Sequence, residues 1–142
     1  MSKLYKKYVA LKIQDDSALY LFKTGIFYIF LDEDAKLVSS RLNLKLTNLN
    51  QDVVKCGFPV SQLEKYTKLI NNANLSFKIV DSSKDMIFSP QEYTIDEKVH
   101  NLIKKISQTN SDEISISAAF DFISDISEES KLLLKELEYG KE

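Results

Sequence analysis

A single cysteine and a single histidine remove whole classes of chemistry from this 142-residue chain. Cys56 has no partner for an internal disulfide, which suits a reducing compartment. With Cys56 and His100 as the only soft ligands, a zinc site would need carboxylates to complete it, and no Asp/Glu spacing suggests one. No metal or other cofactor is therefore expected. The Gly-x-x-x-x-Gly-Lys-Ser/Thr loop that cradles phosphates is missing, so nucleotide hydrolysis is not expected either. The longest apolar run, Ile26 to Leu31, is far too short to cross a bilayer. The N-terminus lacks the basic-then-apolar pattern of a secretion signal, and a cytoplasmic location is expected. Only three glycines and two prolines, among many Leu, Ile and Lys, describe a compact domain rather than a disordered tail. No internal repeat or low-complexity tract is present.

Nothing in the chain assembles into a nucleophile and its base. His100 follows Val99 in a helical pattern, where a surface position explains it. Asp32-Glu33-Asp34 and Glu128-Glu129 stand at expected helix starts, where the helix dipole accounts for them. No enzymatic activity is expected.

The formal charge of −2 averages two unlike halves. Residues 1–80 hold 12 Lys+Arg against 7 Asp+Glu, a net of +5, whereas residues 81–142 hold 7 against 14, a net of −7. The basic half carries Lys3, Lys6, Lys7, Lys12, Lys23, Arg41, Lys45 and Lys55. Any one of these is explained equally well as a solvated cation on a helix face.

Hydrophobic spacing predicts an α/β (α+β type) fold. Leu4, Tyr8 and Leu11 share one helical face over residues 3–14, and Ala18 to Phe22 is apolar throughout, as a strand buried on both faces would be. Thr24-Gly25 turns the chain into a second strand, Phe27 to Leu31. A helix then begins at Asp32-Glu33-Asp34 and carries Ala35, Val38 and Leu42. Leu44 and Leu46 alternate with polar neighbours and pair with Val53 to Cys56 as a hairpin. A helix from Ser61 to Ala73 and a strand from Leu75 to Val80 complete a mixed sheet of about five strands flanked by helices, residues 1–82. Residues 83–93 read as a linker and 94–142 as an acidic helical appendage. Its first helix opens on the capping box Thr94-Ile95-Asp96-Glu97, and two more helices span about 116–126 and 128–139.

Tyr8-Val9-Ala10-Leu11-Lys12-Ile13-Gln14, the apolar strand after it, Gly25-Ile26-Phe27-Tyr28-Ile29 and Asp34-Ala35 follow one another without a gap in an order that resembles the MutS mismatch-recognition domain. That family reads Tyr-x-x-Leu-Lys-x-Gln, then Gly-Asp-Phe-Tyr-Glu and an Asp-Ala pair. Leu44-x-Leu46-Thr47, Gly57-Phe58-Pro59 and Tyr66 extend the resemblance over residues 4–82. It implies a domain I-like module without clamp or ATPase domains, and a part in DNA repair through binding of mismatched DNA. It also implies that Phe27 is a wedge that stacks on a base. The family's base-bonding glutamate is replaced by Ile29, which can accept no hydrogen bond, so mismatch discrimination is expected to be lost. After Leu-Thr the family commonly places a phosphate-contacting cation, where this chain has Asn48-Leu49-Asn50; Lys55 is the candidate substitute.

The candidate nucleic-acid contacts are therefore Phe27, Ile29, Lys12, Lys23, Arg41, Lys45 and Lys55. Stacking on an aromatic tolerates any base, so RNA is as open a ligand as DNA. Such a module is expected to bind weakly alone and to act beside a protein partner docked on the C-terminal helices, with a homo-oligomer as a further arrangement. The resemblance also admits an accessory role beside the reverse transcriptase of a diversity-generating retroelement. Two alternatives stand: Phe27 and Ile29 are core residues of their strand, or the old DNA face has become a protein-binding patch.

Overall fold

The computed structural model describes residues 2–84, 86–109 and 114–139. The chain divides into two compact units, Met1–Pro90 and Gln91–Glu142. In the first unit Ser2 caps α1 (Lys3–Gln14) by accepting the Tyr5 amide at 3.1 Å. β1 (Leu19–Thr24) and β2 (Phe27–Leu31) form an antiparallel hairpin, and α2 (Asp32–Leu42) follows without a loop. β3 (Thr47–Asn48) and β4 (Val54–Pro59) make the second hairpin. A single 3-10 turn then leads into α3 (Leu63–Asn72), β5 (Phe77–Val80) and β6 (Ile87–Phe88). The sheet order is β3-β4-β2-β1-β5-β6, antiparallel except for the parallel pair β1/β5.

Strand alternation divides the core between the two faces of this sheet. Tyr20, Phe22, Ile29, Leu31 and Val80 meet Tyr8 and Leu11 of α1 in one buried cluster, together with Ala18 and Val53. On the other face Phe58 stacks on Tyr66 of α3 at 4.4 Å between ring centroids, and the Cys56 thiol donates to the Ala35 carbonyl of α2 at 3.4 Å. β1 contributes to both faces, which is why Leu19 to Phe22 is apolar without interruption.

The sheet has six strands where the hydrophobic pattern predicts five. The extra strand, β6, lies in the stretch that reads as a linker: Phe88 registers against Ile79 and Ile87 against Val80, closing the edge that β5 would otherwise expose. The strand expected around Leu44 and Leu46 forms only at Thr47–Asn48, because α2 runs to Leu42 and ends on Asn43 in the left-handed conformation. Gly57 sits inside β4 opposite Ile29, and a Cβ there would overlap the Tyr28 carbonyl and come within 2.9 Å of Ile29 Cγ2.

The second unit contains the two helices α4 (Pro90–Ser107) and α5 (Ile116–Tyr139). α4 starts at Pro90, four residues before the expected capping box, because proline's fixed φ and missing amide suit the first helical turn. Thr94 and Glu97 consequently lie inside the helix. α5 is one helix where two are predicted, since neither glycine nor proline separates Ile126 from Glu128. Lys98 pairs with Glu136 at 2.9 Å and Lys105 with Glu129 at 3.5 Å. The opposite order of these partners makes the helices antiparallel. No helix among the described residues is long and apolar enough to cross a membrane.

Gly57→Ala is expected to destabilise the first unit by about 3 kcal/mol or more, because the added methyl meets backbone and not a movable side-chain end. Urea unfolding checks this, and an unchanged midpoint contradicts it.

Candidate nucleic-acid interface

The β1–β2 connection is two residues long, Gly25-Ile26, closed by the Thr24/Phe27 pair. Gly25 has φ +60°, the conformation that the first position of a II′ hairpin turn requires and that a side chain resists. The turn is tied down from β4's end, where the Val60 amide donates to the Ile26 carbonyl at 2.9 Å. Phe27 therefore stands on a braced tip, 45% exposed, flanked on its own sheet face by Thr24 and Pro59.

Positions 27 and 29 project to the same side of the strand, yet their environments differ sharply. Ile29 is 7% exposed, sealed among Tyr8, Leu11 and Phe22, with Gly57 across the ladder. It contributes no outer surface of consequence. The reading in which both residues are core fits Ile29 and not Phe27. An apolar patch made jointly by Phe27 and Ile29 does not form either; the exposed neighbour of Phe27 is Ile26, at 71%. Sequence reasoning passed over Ile26, although an isoleucine in a two-residue turn, where polar residues are usual, is the signal that marks it.

The five candidate cations do not converge on Phe27. Lys12 turns inward: its ammonium donates to the Ala18 carbonyl and to Asp34, each at 3.0 Å. Lys23 lies 3.9 Å from the buried carboxylate of Asp81. Arg41 and Lys45 are exposed, in the last turn of α2 and the loop after it. Lys55 registers against Leu31 and Thr47, four ladder positions and about 13 Å along β2 from the Phe27/Pro59 pair.

Asp34, assigned from sequence to the helix dipole alone, is buried and bonded from both α1 and β1. Only 2% exposed, it accepts the Tyr20 amide at 2.9 Å and the Lys12 ammonium at 3.0 Å. Burial holds its carboxyl above the ordinary 3.8, outweighing the Tyr20 amide and the Lys12 ammonium, which act to lower it. Burial and the neighbouring Asp34 charge push the Tyr8 hydroxyl up as well. Elsewhere burial raises the Cys56 thiol to about 11, which leaves it an inert core group. His100 is exposed. Among the described residues no cluster of three His, Cys, Asp or Glu side chains is placed to hold a metal ion.

The raised carboxyl gives a pH signature. Between the unfolded and folded values the folded chain keeps a proton that the unfolded chain has released, so Asp34 contributes most in acid and less as pH rises through that window. Asp34→Asn, which cannot titrate, is expected to cost more stability at pH 4 than at pH 7, roughly 3 kcal/mol at its largest. Urea unfolding at both pH values checks it; an equal cost contradicts the assignment.

Comparison with known proteins identifies a family. The family model of MutS domain I matches residues 2–112, beyond residue 82, where the recognisable motifs stop. The DNA mismatch repair protein MutS of Leptospira interrogans serovar copenhageni is 32% identical over 81 residues, 57% of this chain and 10% of the relative. MutS of Thermotoga petrophila is 35% identical over 82 residues, 58% of this chain and 10% of the relative. MutS of Rickettsia conorii is 33% identical over 84 residues, 56% of this chain and 9% of the relative. The chain spans about a tenth of the length of these curated relatives. With the family model covering well over half of its residues, this chain belongs to the MutS domain I family.

Proposed function

We propose that this chain is a non-catalytic nucleic-acid-binding module that stacks Phe27 on a base and does not read the mispair. The observation that carries the proposal is the division between a half-exposed Phe27 on a braced tip and an Ile29 sealed beneath α1. An aromatic that enters from the minor groove stacks and kinks the duplex without base-specific bonds. The next position on Phe27's face of the strand, Ile29, offers only buried hydrocarbon, so no carboxylate stands there to prefer a mispaired base. DNA is the first ligand to test, since the relatives are DNA mismatch repair proteins, and stacking admits RNA as well.

Affinity is modest under this reading, because Lys12 and Lys23 face carboxylates and Arg41, Lys45 and Lys55 are left to meet phosphates. Three such contacts give a slope of about −3 for log affinity against log salt on duplex DNA. A weak, indiscriminate module suits work beside a second protein in the cytoplasm, such as the reverse transcriptase of a diversity-generating retroelement. The C-terminal hairpin is the proposed docking element, supported by the exposed Ile116, Phe120, Ile123, Leu134 and Leu137 of α5. Light scattering decides whether that face also joins two copies.

Fluorescence anisotropy with matched duplex, single-mismatch duplex, single-stranded DNA and hairpin RNA tests the proposal. Matched and mismatched duplexes are expected to bind equally within about twofold, and Phe27→Ala to weaken both roughly tenfold, the scale of one lost stack. Lys12→Ala is expected to lower the melting temperature without changing the salt slope. Failure of the folded protein to bind any probe, or a strong mismatch preference, overturns the reading.

A further inference from the structure

The α4–α5 unit has two unlike faces. Both interhelical ion pairs, Lys98 with Glu136 and Lys105 with Glu129, lie on one of them. Next to these glutamates around α5 come Ala119, Phe122, Ile126 and Leu133, its partly or fully buried apolar residues, which mark the side turned to α4. Past them runs a second stripe. Starting at Ile116, alternating steps of four and three residues reach Phe120, Ile123, Ser127, Ser130, Leu134 and Leu137, the spacing of a coiled-coil seam, and every one of these positions is exposed. The stripe lies roughly 140° around α5 from Glu129 and Glu136. On α4 the exposed Ile103 stands roughly 150° from Lys98 and Lys105, again past the side that faces the other helix, with the exposed Ile106 between. The apolar residues of both helices therefore share the face opposite the ion pairs. The family match ends at residue 112, before α5 begins.

We infer that this face packs against the same face of a second copy, so that two α4–α5 hairpins close into a four-helix bundle and the protein is a symmetric dimer. Three observations select a copy of the chain as the occupant. The exposed apolar residues of the face present roughly 800 Å², which is what each partner covers in a standard stable interface and more than a monomer usually leaves open. The face is also shaped to meet itself. Phe120 projects, 70% exposed, beside a recess over Ser124 and Ser127 that Ile123, Glu128 and Lys131 help to line, and a two-fold interface needs knob and hollow on one surface. Finally, the net charge of −7 over residues 81–142 is kept off the seam: its outer flank carries Ser117, Ser124, Lys131 and Glu138, one charge of each sign. A basic partner would find little to pair with there. The dimer requires no nucleic acid. Joined to the stacking proposal, it tethers two Phe27 modules, and a duplex that reaches both gains affinity by avidity, which offsets the weakness of each.

The test is sedimentation equilibrium of the full chain, without nucleic acid, over a wide range of concentration. Wild type is expected to sediment as a dimer that dissociates on dilution, and to tighten as salt screens the acidic excess of the two units. Phe120→Ser and Ile123→Ser are each expected to raise the dissociation constant roughly a hundredfold or more, because two-fold symmetry removes each apolar side chain twice. Both positions are largely open to water, and circular dichroism and melting confirm that each variant keeps its helices. Leu132→Ser is the control: Leu132 is 58% exposed but lies on the ion-pair side of α5, and its loss is expected to leave the dimer unchanged within about twofold. A monomer at every concentration, a dimer that survives both stripe substitutions, or one lost equally in Leu132→Ser overturns the inference. Because no nucleic acid is present, any of these results leaves the stacking proposal standing, and failure to bind nucleic acid leaves the dimer standing.

Discussion

The first unit depends on one buried carboxylate. Asp34 lies in the first turn of α2, and from there it bonds the β1 backbone at Tyr20 and the α1 lysine Lys12. Lys12 in turn reaches the Ala18 carbonyl just before β1. One side chain thereby ties together two helices and the central strand. The cost of burying its charge is large, and the Tyr20 amide and the Lys12 ammonium offset it only in part. With α1 held in this position, Tyr8 and Leu11 lie over Phe22 and Ile29.

That placement of α1 governs the exposed tip. Ile29 and Phe27 are two residues apart on one strand face, and the helix seals the first while the second emerges half-exposed. Gly57 completes the arrangement from the neighbouring strand, because a side chain there would displace Ile29 and the β2 backbone. The hydrophobic packing that stabilises the sheet and the exposure of Phe27 are thus two results of the same geometry. The electrostatics follow the same logic. Lys12 belongs to the anchor and Lys23 faces Asp81, so part of the basic character of the first half is internal to the fold and not offered to a ligand.

Much of the scaffold was legible before the structure. The 3.6-residue period of α1, the uninterrupted apolar β1 and the glycine turn into β2 are local signals, and the corresponding elements form within a residue or two of where they were expected. The motifs that resemble MutS have the same local character. They proved to mark structural necessity as much as recognition: the lysine of Leu-Lys-x-Gln and the aspartate of Asp-Ala are partners in the buried anchor, 22 residues apart in sequence. Spacing along a chain cannot reveal that pairing. The same limit explains β6, whose two residues become a strand only because β5 presents an open edge.

The sequence by itself determined the alternation of apolar residues, the turn chemistry and the charge asymmetry, and with them the α/β class and the family. These are properties of neighbours along the chain, decided by backbone sterics and by periodicity of 2 or 3.6 residues. Only the tertiary structure decided which lysines are spent in ion pairs, why residue 57 must lack a Cβ, and that Ile26, not Ile29, stands beside Phe27 at the surface. Each of these depends on which segments distant in sequence pack against one another, since burial and Coulomb attraction act through space and are blind to chain order.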